Sequence, residues 1–142
     1  MSSSAPCAAS RWSAVRSLEV VGSPAYPSDP AAVAEAATRA YDRDYDEVAI
    51  ARQAVAQVAS EDRTDRLRAL DVPTLVVHGL ADTLRDPSGG RAVAAAVRGA
   101  EVWLIDGMGH NLPPGLWERI AAHIAGIVQK GEARGKPSKL PE

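Results

Sequence analysis

The chain has one cysteine, Cys7, and no phenylalanine. A lone thiol cannot close a disulfide within the chain, so a disulfide-held scaffold is excluded and a reducing, cytoplasmic setting is expected. No apolar run approaches the roughly 20 residues of a membrane span. Neither sign of charge dominates: 16 Lys and Arg stand against 18 Asp and Glu, for a net charge of −2. That balance gives no electrostatic footprint for nucleic acid or an anionic membrane. The first ten residues lack a basic segment followed by an apolar core, so they do not read as a secretory leader. There is no internal repeat, and no cofactor is expected. What remains is one domain's worth of chain, 142 residues, rich in alanine. Alanine favours helix but buries little area per residue, so a modestly stable fold is expected.

The informative part is residues 73–110. Thr74-Leu75-Val76-Val77-His78 is short, apolar and β-branched, with Pro73 before it. It predicts a buried parallel strand. It runs into Gly79-Leu80-Ala81-Asp82. A helix from about 88 to 97 follows, with Val93, Ala96 and Val97 toward the sheet and Gly99 at its end. Val102-Trp103-Leu104-Ile105 predicts a second strand, which runs into Asp106-Gly107-Met108-Gly109-His110. In a right-handed βαβ unit the two strands point the same way. Asp82 and His110 are then expected at one edge of the sheet, beyond its carboxyl ends, where open α/β sheets place their chemistry.

The rest of the chain reads as helix and loop. Residues 1–17 lack periodicity and are expected to be unstructured, with 18–21 a short extended piece. A proline-rich loop, 22–30, leads to a helix through about Tyr41. Asp29 is its N-cap, Pro30 its first residue, and Val33, Ala36, Ala37, Ala40 and Tyr41 its apolar stripe. A second helix, capped by Asp46, is expected to about Ala59, with Ile50, Ala51, Ala54, Val55 and Val58 on one face. A short third, 64–70, turns Leu67 and Leu70 inward. After His110, a helix over 114–128 repeats Leu116, Ile120, Ile124, Ile127 and Val128 on one face. From Lys130 the tail reads as flexible.

A histidine oriented by a carboxylate is a general base with a controlled tautomer. Here the residues carry a resemblance. His78-Gly79-Leu80-Ala81-Asp82 resembles the H-G-x-x-D turn of α/β-hydrolase-fold enzymes, and Gly107-Met108-Gly109-His110 resembles their G-x-G-H turn. The likeness covers roughly 18–129, and Gly22-Ser23-Pro24 and Asn111-Leu112-Pro113 resemble its esterase-like members. It implies a partial α/β-hydrolase fold: two parallel strands with flanking helices (71–129) and a helical cap remnant (18–70). It implies hydrolysis of an ester or similar acyl bond in a small molecule, with Asp82 the acid and His110 the base.

The chain departs from that family in its nucleophile. Those enzymes carry serine on G-x-S-x-G upstream of the acid, and this sequence has none. Ser23 lacks the flanking glycines, and Ser88 follows the acid and reads as a helix cap. The oxyanion-hole strands are also absent, and Thr83 and Arg85 stand where a proline and an apolar residue are frequent. The chain therefore reads as the C-terminal portion of such an enzyme, inactive alone. The alternative is a non-catalytic binding module. Taken singly, Asp82 is also what a turn aspartate capping local amides would be, and His110 a loop histidine. His78 is expected to be structural, and a metal site of His78, Asp82 and His110 matches no strong ligand spacing. His123 reads as a surface residue, Trp103 and Trp117 as core or sheet-covering residues, and Met108 as either turn packing or pocket wall. Two strands leave exposed edges, a route to self-association.

Overall fold

The computed structural model describes residues 5–43 and 46–135. It holds six α-helices and two parallel strands, a small mixed α/β arrangement. The chain divides into two compact units, Met1–Val20 with Ser28–Asp62, and Val21–Pro27 with Arg63–Glu142.

The first unit is helical. Helix α1 spans Ala5–Val21, where the sequence predicted no regular structure to 17 and an extended piece after it. This stretch lacks the apolar periodicity that marks an amphipathic helix. Its alanines supply helix propensity without any stripe. Residues 1–4 lie outside the described residues. Helix α2, Pro30–Arg43, opens as expected: the Asp29 carboxylate accepts from the Ala31 amide at 3.0 Å, and proline takes the first position. Its half-buried row is Val33, Ala34, Ala37, Thr38 and Tyr41, while Ala36 and Ala40 are exposed. Helix α3, Glu47–Ala59, is capped by Asp46, which accepts from the Val48 amide at 2.8 Å. Its apolar face exists but is uncovered: Ile50, Val55 and Val58 are exposed.

The second unit is a three-layer βαβα arrangement. Helix α4, Thr64–Arg68, half-buries Leu67 and packs against α5, Pro87–Ala96. Strands β1, Leu75–Gly79, and β2, Glu101–Ile105, pair in parallel from Leu75 opposite Glu101 to Gly79 opposite Ile105. Side chains alternate between faces along a strand. Val77, Trp103 and Ile105 face one way and pack with Met108, Leu116, Ile120 and Tyr26. His78 faces the other way, onto Gly90 of α5. The crossover helix thus covers one face, and helix α6, Trp117–Ala133, the other. A single 3-10 turn, Pro114–Leu116, leads into α6.

Three expectations fail here. Val93 is exposed rather than turned to the sheet, while Val97 is buried. Asp86, not Ser88, caps α5: its carboxylate accepts from the Ser88 amide at 2.8 Å. Helix α6 runs five residues past 128, to Ala133, with Ile124 and Val128 exposed. Lys130 in its last turn pairs with Glu101 of β2. The rest of the expected tail, 136–142, lies outside the described residues. Gly99 takes the positive φ, +73°, foreseen for it.

Candidate functional site

The βαβ topology delivers both candidate side chains to one place. Gly79 ends β1 and Ile105 ends β2, directly opposite each other. The two following turns are sewn together by backbone bonds, Leu80 N–H to the Ile105 carbonyl and Ala81 N–H to the Met108 carbonyl, each 2.9 Å. Such contact requires glycine. A Cβ on Gly79 would overlap the carbonyl oxygens of Met108 and Gly109. Gly107 serves a different need: its φ of +67° is strained for any side chain.

Within this frame the His110 imidazole lies 2.9 Å from Asp82, Nδ1 to Oδ2. A carboxylate only accepts, so Nδ1–H donates and Nε2 is left as the basic nitrogen. Nε2 makes no hydrogen bond to the described residues, and the side chain is 42 % exposed. Asp82 is the reverse case, with its side chain only 6 % exposed. Its Oδ1 accepts from the amides of Leu84, 2.9 Å, and Arg85, 2.8 Å. Burial pushes its pKa up. The Arg85 amide, the His110 ring and the Leu84 amide together outweigh that and hold it below the usual carboxylate value. The group therefore stays ionised and able to fix the orientation and tautomer of the imidazole.

The turn that carries His110 is closed from behind by Val21–Pro27, which the sequence did not foretell. The His110 amide donates to the Val21 carbonyl at 2.8 Å, and the Ala25 amide to the Gly107 carbonyl at 3.1 Å. The buried Ser23 hydroxyl accepts from the Gly109 amide at 2.9 Å and donates to Asn111 Oδ1 at 2.6 Å. Gly109 permits this closeness, because a Cβ there would overlap the Gly22 carbonyl. Ser23 is thus a strut. The one local hint was a short polar residue between glycine and proline, matched by Asn111 beside Leu112-Pro113.

The remaining sequence candidates fall as follows. His78 Nε2 donates to the Arg85 carbonyl at 3.0 Å and lies 3.7 Å from Asp82 Oδ2. Met108 is buried against Ile105 and Leu116, so turn packing is its role. Trp103 is half-buried on the sheet and stacks on His123, with centroids 4.0 Å apart and planes at 13°. Arg119 sits 5.0 Å above the same indole. Trp117 is not in the core: it is 60 % exposed, its N–H held by the Leu112 carbonyl. Ser88 is exposed and engaged with Asp86. Among the described residues, no three His, Cys, Asp or Glu side chains are grouped to hold a metal ion, and no helix is long and apolar enough to cross a membrane. No protein-family model matches the chain, and no curated protein sequence matches it.

Proposed function

We propose that this chain supplies the acid and base of an esterase-like serine hydrolase of the α/β-hydrolase type. The supporting observation is the 2.9 Å bond between Asp82 and His110 at the shared edge of two parallel strands. In this reading Asp82 orients the ring. His110 Nε2 takes the proton of an attacking serine hydroxyl as its oxygen bonds to the acyl carbon. The imidazolium then returns that proton to the leaving alkoxide as the ester C–O bond breaks, and water repeats the cycle on the acyl-serine. The serine comes from another polypeptide segment, since this sequence has no G-x-S-x-G. The cytoplasm is the compartment that suits the single thiol.

A fluorophosphonate probe tests the reading. The purified chain alone is expected to remain unlabelled and to give only slow, non-saturating hydrolysis of p-nitrophenyl acetate. Co-expressed with a G-x-S-x-G polypeptide, sought first in the DNA preceding this frame, it is expected to confer labelling of that serine. Labelling should vanish with His110→Ala. Saturable turnover by the chain alone would overturn the division of labour. Labelling indifferent to His110→Ala would favour the second reading, a non-catalytic module. The second reading is favoured by Ser23: the serine bonded beside the imidazole's turn is committed to Gly109 and Asn111.

A further inference from the structure

Asp82 lies between two imidazoles, and only one of them is explained by the acid–base reading. His78 is largely buried, with its side chain 15 % exposed. Its Nε2 is 3.0 Å from the Arg85 carbonyl and 3.7 Å from Asp82 Oδ2. A carbonyl accepts only, so Nε2 carries the proton and Nδ1 is bare in the neutral ring. The bare edge faces α5 at Gly90, where an added Cβ would stand 2.7 Å from Nδ1. Gly90 is inside a helix, where glycine costs roughly 1 kcal/mol relative to alanine. The space it leaves is filled by the His78 ring.

We propose that His78 is a positioning residue for the Asp82–His110 pair, acting through the Arg85 carbonyl. The bond pins the carbonyl end of the same residue whose amide, with that of Leu84, holds Asp82 Oδ1. With Oδ1 fixed, Oδ2 is turned to His110. At 3.7 Å, His78 Nε2 is too far from Oδ2 to compete with His110 for it. Of the charged groups near the ring, Asp82 of the turn lies 3.7 Å away, and Asp86, the cap of α5, interacts electrostatically with both His78 and Arg91 of that helix. The inference rests on reading Asp82 and His110 as a working pair, but its test needs no turnover, so absent esterase activity leaves it standing.

The test is amide hydrogen exchange together with an NMR titration of the Asp82 carboxyl carbon on the full chain. In His78→Leu, which keeps bulk and loses the donor, the Leu84 and Arg85 amides should exchange at least tenfold faster, by about 1.4 kcal/mol of local opening. The β2 amides should not change, and the Asp82 midpoint should rise toward the ordinary carboxylate value. His78→Gln, whose side-chain N–H reaches the same carbonyl, should restore both readouts. Gly90→Ala, which favours the helix but crowds Nδ1, should reproduce the loop opening even where His78→Leu fails to fold. Unchanged Leu84 and Arg85 exchange in folded His78→Leu or in Gly90→Ala would overturn the proposal, as would equal behaviour of the Leu and Gln variants.

Discussion

At neutral pH the Asp82 carboxylate accepts three hydrogen bonds, from two amides and one imidazole, while its side chain is almost wholly buried. Replacing it with asparagine keeps an acceptor for the loop but sets N–H against N–H at His110. We expect Asp82→Asn to lower stability at pH 7 by about 1.5–3 kcal/mol, the range for bonds to a charged group. Its folded pKa is lowered, so its contribution is fully present above the unfolded value of 3.8 and is lost as pH falls through the folded value. Urea midpoints of wild type and Asp82→Asn should therefore differ at pH 7, begin to approach each other only as pH falls below 3.8, and meet below the folded value. In a reconstituted hydrolase the same variant should lose about 10⁴-fold in turnover, as the wrong tautomer is imposed. Ser23→Ala removes the acceptor of a buried amide, that of Gly109. A loss of about 1–3 kcal/mol with unchanged denaturant slope is expected.

Among elements, the paired turns and α5 give opposite forecasts for the same kind of substitution. Gly79→Ala drives a methyl into two carbonyl oxygens of the neighbouring turn, and that turn is fixed by the Ala81 and His110 amides. We expect about 3 kcal/mol of destabilisation, read as a lower melting temperature. Gly89→Ala meets nothing within 4 Å and lies in a helix, so a gain of about 0.5–1 kcal/mol is expected. Leu116→Ala, at the fully buried residue that closes the 3-10 turn before α6, should cost about 2–5 kcal/mol. The strands and their turns were legible in the sequence because each is a short apolar, β-branched run with a glycine turn at its end, and two of the three carboxylate caps, Asp29 and Asp46, declare themselves locally, while Asp86 was hidden by the serine that follows it. Helix α1 was illegible because propensity without periodicity leaves no pattern to read. Val21–Pro27 was hard to read because its bonds reach residues more than 80 positions away, and the short polar residue between Gly22 and Pro24 does not say which distant turn it meets. Trp117 and Val93 were misjudged because apolar character was equated with burial, and this fold leaves several large apolar side chains exposed.

For the molecule as a whole, burial is sparse. Among the described residues only Val97, Ile105, Met108 and Leu116 form the buried apolar core. Neither α2 nor α3 contains a buried residue among those described. Helices of 14 and 13 residues are marginal without packing. Limited proteolysis should therefore cut within 28–62 before it reaches β1 or β2, and mass spectrometry of the first fragments checks this. Such a nick has its own outcome. The histidine's turn is latched by a segment that precedes the cut, with Ser23 and Asn111 88 positions apart. In an intact chain that latch is joined to its catch through residues 28–62, so its closing is an intramolecular event. Once severed, the latch and the catch are separate molecules, and dilution alone would let the imidazole swing loose.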